Sequence, residues 1–286
     1  MDDTPFIISL ADAVDAHVHI KASSGLAGIK AAGIVAVRDA GTKDSAGLTA
    51  AATDGPSVVS AGWALYKRGG YGGGFGVPVE GRGEIVAEIQ KLASAGAGVI
   101  KVMASGMVSL KEPGKITPGG FDRDELAIIV EEAGRKGLGV MAHANGEAAI
   151  MNSASAGVRS IEHGFFMTGQ ALGALLKNGV FWVPTVGALK RAAGAAGLSG
   201  DVRAFVERTI EGHCRMIKLA FDTGVPLAIG TDCVLPDSNY RAAYEAELSY
   251  FQQAGIPEDA VRRIASDGGR ELLGLDQPRM AANQHE

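Results

Sequence analysis

The sequence predicts an α/β fold of the (β/α)8 barrel type, and three observations carry that expectation. Eight short apolar, β-branched segments alternate with helix-like stretches. Most of these segments are apolar on both faces, as parallel strands covered by helices must be. The length, 286 residues, suits a single barrel of about 250 residues. An alternation repeated eight times points to a closed barrel rather than an open sheet. Residues 1–286 are therefore read as one domain.

Strands are expected near 14–19, 33–38 and 56–61. The next segment, Leu65 to Gly83, holds eight glycines and few core residues. It breaks the repeat and reads as a rim lid or binding loop, with plain disorder as the alternative. A helix follows to Ala95, with Ile85, Ile89 and Leu92 at helical spacing. The fourth strand, 98–104, leads into a second irregular segment, Ser105 to Gly120, containing Lys111, Pro113 and Lys115. Asp122 to Lys136 reads as a helix whose Asp122 and Glu125 have capping-box spacing. Strands near 139–143, 159–163, 180–186 and 226–232 complete the set, and Gly137 and Gly179 sit where left-handed helix caps belong. Helical patterns cover Asp201 to Phe221 and Tyr240 to Ala254, and a final one over about 257–274 closes the structure before a flexible tail, 275–286.

Composition narrows the function. A hydrophobic fraction of 47% and a charged fraction of 21% are ordinary for a globular protein with a large core. The net charge of −5, from 27 basic and 32 acidic residues, argues against a nucleic-acid partner, and no basic run suggests a membrane surface. Two cysteines, Cys214 and Cys233, make no disulfide framework. The N-terminus has no basic region, and the apolar run Phe6 to Leu10 is too short for a signal core or a membrane span. The expected setting is the cytoplasm and the expected partner a small-molecule substrate, with a homo-oligomer left open.

The strand ends carry the chemistry. His17 and His19 end the first strand, two residues apart and so on one side of it. His143 and His163 end the fifth and sixth strands, and Asp232 ends the eighth, the neighbour of the first in a closed barrel. Lys101 interrupts the apolar run Gly98-Val-Ile-Lys-Val-Met103, where an ammonium is costly unless paired or neutralised. A metal centre accounts for all six residues together. A neutral lysine there can take up carbon dioxide, and the resulting carbamate could bridge two cations; otherwise Lys101 would suit a base or Schiff-base lysine. Each residue also has a plainer reading. A strand-end histidine can be a hydrogen-bonded core residue, Lys101 can pair with an acid such as Glu162, and Asp232 can cap a helix. Those readings must all hold together to replace the single metal explanation. His213 and His285 receive no role, and Cys233, pointing away by alternation, reads as structural.

At these residues the chain resembles the amidohydrolase superfamily of metal-dependent hydrolases. The matching stretches are Asp15-Ala-His-Val-His19, Ile100-Lys-Val-Met-Ala-Ser-Gly106, Ala142-His-Ala144, Ile161-Glu-His-Gly164 and Gly230-Thr-Asp232. The lysine and Glu-His-Gly motifs are similar to those of the imidazolonepropionase and Xaa-Pro dipeptidase-like branch. The resemblance implies a barrel with a binuclear centre, commonly zinc. His17, His19 and Asp232 would hold one metal and His143 and His163 the other, with carboxylated Lys101 and a hydroxide bridging them. The small β-sandwich of many members of this branch is expected to be absent or vestigial here.

The expected reaction is hydrolysis of an amide (C–N) bond in a small molecule such as a dipeptide or N-acyl amino acid. A metal-bridging hydroxide attacks, and Asp232 shuttles the proton to the leaving group. Tyr66, Arg68 and Tyr71, after the third strand, are candidate substrate contacts, the arginine for a carboxylate. Asn145 is a candidate donor to a substrate carbonyl, or else a helix cap. The alternatives are an esterase, lactonase or phosphotriesterase on the same site, a non-catalytic metal- or ligand-binding barrel, and a lysine-dependent aldolase.

Overall fold

A computed structural model of the chain describes residues 10, 12–50, 54–195 and 200–275. The N-terminal apolar run up to residue 9, His285 and residues 276–286 of the expected tail lie outside the described residues.

The described chain alternates strand and helix as expected. In order it forms β1 (Ala13–Ile20), α1 (Leu26–Ala31), β2 (Ile34–Asp39), β3 (Ser57–Ser60), β4 (Ala64–Lys67), β5 (Gly76–Val79), α2 (Gly81–Ser94) and β6 (Val99–Met103). Then come α3 (Arg123–Arg135), β7 (Gly139–Ala144), α4 (Glu147–Ala156), β8 (Ser160–His163), α5 (Gly169–Asn178), β9 (Phe181–Val183), α6 (Val186–Ala195) and α7 (Gly200–Thr223). The last elements are β10 (Cys233–Leu235), α8 (Tyr240–Gln253), α9 (Glu258–Arg263) and α10 (Gly269–Leu273), with a π-helical turn joining the final two. Asp122 caps α3 with a full capping box through Glu125, which satisfies backbone donors the helix itself cannot pair. Gly137 and Gly179 adopt the left-handed conformation expected of them.

Among the described residues all strand pairs are parallel and fall into two sheets, β10-β1-β2-β3 and β5-β4-β6-β7-β8-β9. Bonds outside the regular ladders span the two seams. At one seam Gly98 N–H donates to Ser60 O at 2.8 Å, linking β3 to the start of β6. At the other, residues 226–232 bond to both neighbours: Trp182 N–H donates to Pro226 O, and Ala16 N–H to Ile229 O. The arrangement is that of a (β/α)8 barrel whose strands are joined through these bonds.

Alternation along the strands separates core from site. Ile100 and Val102 of β6, Val140 and Ala142 of β7, and Val18 and Ile20 of β1 enter the main apolar core. The intervening residues Lys101, His143, His17 and His19 share one cavity. A period-two pattern thus places four polar side chains together while the same strands bury their other face.

Two expectations are corrected. Leu65 to Gly83 is not an irregular loop throughout: it contains most of β4 and all of β5, which pairs with β4 as an added edge strand. The eighth strand is regular only over 233–235, later than the expected 226–232. Asp232 adopts φ 57°, which breaks the ladder at that point.

Gly76 is required by the β4–β5 approach, since a Cβ there would lie 1.8 Å from the Ala64 carbonyl oxygen. Gly76→Ala is therefore expected to lower stability by about 1–3 kcal/mol. Urea unfolding measures this, and an unchanged midpoint would contradict the packing described.

Candidate metal centre

The strand ends open into a cavity of about 690 Å3. His17, His19, Lys101, His143, His163 and Asp232, which enter from five parts of the barrel, all line it. The His17 and His163 rings lie 5.1 Å apart, and those of His143 and His163 4.6 Å apart. Asp232 Oδ1 is 3.4 Å from His17 Nε2 and 3.1 Å from His19 Nε2. Ligand atoms of His17, His19 and Asp232 all fall within 4.8 Å of one another, close enough to share one ion.

Each imidazole is oriented through one nitrogen. His17 Nδ1 donates to Glu162 Oε2 at 2.7 Å, and His19 Nδ1 donates to Gly41 O at 2.6 Å. His163 Nδ1 lies 2.7 Å from the Thr185 hydroxyl, and His143 Nε2 lies 3.0 Å from Gly106 O. A protein partner on one nitrogen fixes the ring and leaves the other for a ligand, as in metal-binding histidines generally. His17 Nε2 and Lys101 Nζ are buried with no hydrogen-bond partner among the described residues. Unpartnered polar atoms in such a position are rare and costly. The donor set fits a divalent cation: neutral imidazole nitrogens, a carboxylate, and an amine that carbon dioxide could convert to an anion.

The electrostatics agree. Burial, reinforced by Lys101, pushes His17 down to about 4 and His143 down to about 3, so both are neutral at ordinary pH. Burial also lowers Lys101 to about 8, against the pull of Glu162 and Asp232. Burial alone would raise Asp232, but the neighbouring histidines hold it well below the usual carboxylate range. Asp232, His163 and Thr185 all adopt positive φ (57°, 67° and 46°). Such backbone strain concentrates at functional sites.

Glu162 is not the partner of Lys101. Its Oε1 accepts from Arg38 Nη2 at 2.8 Å and from the Ser160 hydroxyl at 2.5 Å, while Oε2 holds His17. Arg38 is buried and also donates to Ala16 O and Ser160 Oγ. This relay places a full ion pair beneath the histidines. Arg38 carries the same signal as Lys101, a charge inside an apolar strand, and it is the principal site residue that sequence reasoning missed. Nor does Asp232 cap a helix, for Asn239 stands at the N-terminus of α8.

The expected substrate contacts divide. Tyr71 lines the cavity, its ring 5.1 Å from that of His143. Asn145 lines it too, but its amide donates to Gly106 O and accepts from Phe165 N–H, tying three strand ends together. It caps no helix, since Gly146 begins α4. Tyr66 is not among the lining residues and packs against Gly72. Arg68 is also absent from the lining, its guanidinium held by Glu80 and Glu84 on the surface. His213 stacks on Phe165 and lies within hydrogen-bond reach of Pro184 O, behind the cavity wall. Cys233 is buried in the core.

Arg38→Met or Glu162→Gln alone leaves a buried charge uncompensated, so each is expected to cost about 3–5 kcal/mol, and the double variant less than their sum. A double-mutant cycle by chemical unfolding measures this, and strict additivity would contradict the pairing. Acid is expected to destabilise the metal-free protein. Burial holds His17, His143, His163 and His213 below their ordinary 6.5. The unfolded chain therefore binds more protons as pH falls from about 6.5 toward 4, and stability drops with it. Asp15, Asp39 and Glu247, raised by burial, act in the opposite sense but are outnumbered. Urea midpoints at pH 7 and pH 5 decide; an equal or higher midpoint at pH 5 contradicts the burial of neutral imidazoles.

Comparison with known proteins places this geometry. Ochratoxinase of Aspergillus niger is 29% identical over 205 residues, an alignment covering 62% of this chain and 42% of that one. The matched stretch thus spans less than half the length of that relative. The crystal structure of A. niger ochratoxinase superposes with a TM-score of 0.76 at 24% identity, covering 92% of this chain and 71% of that one. A prolidase solved in complex with N-methylphosphonate-L-proline superposes with a TM-score of 0.74 at 25% identity, covering 93% and 74%. The family model described as "Amidohydrolase family" matches residues 10–278, a span that takes in every described residue. The chain belongs to the amidohydrolase family.

Proposed function

We propose that this protein is a metal-dependent hydrolase that cleaves an amide bond of a small molecule. The carrying observation is a pair of buried atoms with no hydrogen bond among the described residues, His17 Nε2 and Lys101 Nζ, in one cavity with His19, His143, His163 and Asp232. Its family generally uses divalent metal ions. His17, His19 and Asp232 would hold one cation, His143 and His163 a second, and Lys101, carboxylated by carbon dioxide, would stand between them; zinc suits this mixed nitrogen and oxygen set. Bound there, the cations would supply hydroxide near neutral pH and polarise the scissile carbonyl.

The chain's own residues do the rest. Lys101, lowered to about 8 by burial, reaches the neutral amine that reacts with carbon dioxide far more readily than an ordinary lysine. Asp232, ionised and 23% exposed on its side chain, accepts the proton of the attacking water and returns it to the leaving amine. Glu162, kept ionised at about 2 by Arg38 against the effect of its burial, holds His17 in one tautomer throughout. Tyr71, raised to about 12 by burial and by Asp232, stays protonated and can donate to the substrate. The names of the relatives support amide chemistry: one is an ochratoxinase and another a prolidase.

The test is turnover of a panel of dipeptides, N-acyl amino acids, lactones and a phosphotriester by metal-loaded protein. Amide hydrolysis is expected, with Asp232→Asn lowering kcat by about 10²–10⁴-fold. Turnover confined to the lactones or phosphotriester would replace the amide reading with an esterase-type one. Bound metal without any turnover would leave a binding barrel.

A further inference from the structure

We infer that the outer half of the cavity is a subsite for a bulky apolar group, an aryl or long alkyl chain, on one side of the substrate's scissile bond. The inference rests on reading the floor as the hydrolytic centre. The floor is polar and the mouth is mainly apolar, with Ser109, Lys111 and Thr117 as its polar members. Residues 105–120 form an ordered hairpin over the strand ends, with Met107 and Thr117 exchanging backbone and hydroxyl hydrogen bonds and Val108 bridging Ile116. Gly106 anchors it, because a Cβ there would lie 1.9 Å from Thr117 O. The hairpin turns Met107, Val108 and Leu110 toward the cavity, while α6 presents Leu189 and Ala192 to it. Val108, Phe165 and Leu189 belong to an apolar cluster separate from the main core.

Packing of hairpin on helix explains why Val108 and Leu189 are buried, but it does not explain Met107. That side chain lines the cavity and remains 46% exposed, so apolar surface stands open to solvent at the mouth. A ligand's apolar arm would cover it. The cavity volume of about 690 Å3 lies in the range, about 300–1,000 Å3, that encloses drug-sized ligands. Among the described residues, charge at the mouth is confined to one side chain. Arg68, expected to clamp a carboxylate, is held elsewhere, and among the described residues the lysines and arginines lining the cavity are Lys101 in the floor and Lys111 in the hairpin.

Two homologous amide series test this: acyl chains from acetyl to octanoyl on one amine, and alkylamines of the same lengths on one acyl group. In one series kcat/KM of the metal-loaded enzyme is expected to climb about threefold per methylene over the first several carbons. Met107→Glu, at an exposed position, and Leu189→Asn should flatten that climb, with thermal unfolding showing that each variant folds. Amides turned over with no size dependence in either series overturn this inference and leave the hydrolytic reading intact. Calorimetric titration of both series into the metal-free protein reads the subsite without turnover. Affinity rising with chain length supports the subsite even if hydrolysis fails, and affinity flat in both series overturns it.

Discussion

The site depends on one constraint: buried polar atoms need hydrogen-bond partners, and two at the mouth of this barrel have none among the described residues. Lys101 Nζ and His17 Nε2 face a common cavity with no hydrogen bond to either. Desolvation at such a place costs several kcal/mol per charged group unless something compensates. Around them, three imidazoles and a carboxylate bring ligand-type atoms to the same cavity. Each imidazole has one nitrogen held, by Glu162, Gly41, Gly106 or Thr185, and the second nitrogens of His17 and His19 converge on Asp232 Oδ1 at 3.4 and 3.1 Å.

The barrel makes this arrangement available. Parallel strands whose side chains alternate between core and interior bring residues far apart in sequence to one rim. β6, β7 and β8 run side by side in continuous register, which brings Lys101, His143 and His163 together. β1 joins the other half through the bonds of residues 226–232, and Asp232 N–H donates to His17 O across that seam. The irregular seam and the positive φ of Asp232 fall together, so the carboxylate is aimed where a regular ladder would not have sent it. Beneath this layer the Arg38–Glu162 pair fixes the ring of His17.

Much of this was legible in the sequence. Charged or ligating residues ending apolar strands are costly enough that they signal function, and the six residues named on that basis all line one cavity. The same signal exists at Arg38, but its partner Glu162 lies 124 residues away, and only tertiary geometry reveals such a pairing. The glycine-rich stretch concealed two strands, because few core side chains mark them; at Gly76 the close approach of Ala64 O is what excludes a larger residue. Tyr66, Arg68 and Tyr71 looked equivalent as neighbours in one loop. The β4 register and the acidic pair Glu80 and Glu84 separate them, and only Tyr71 reaches the cavity. The apolar mouth was hidden for a related reason: Met107, Val108 and Leu189 become a wall only when the hairpin folds over α6.

Metal titration of the metal-free protein in bicarbonate, followed by native intact mass, tests the central claim most directly. The account predicts two equivalents of divalent cation per chain and the added mass of one carbon dioxide, with the second cation and the added mass both lost in Lys101→Met. A single equivalent with Lys101 unmodified, or no tight binding at all, would contradict it.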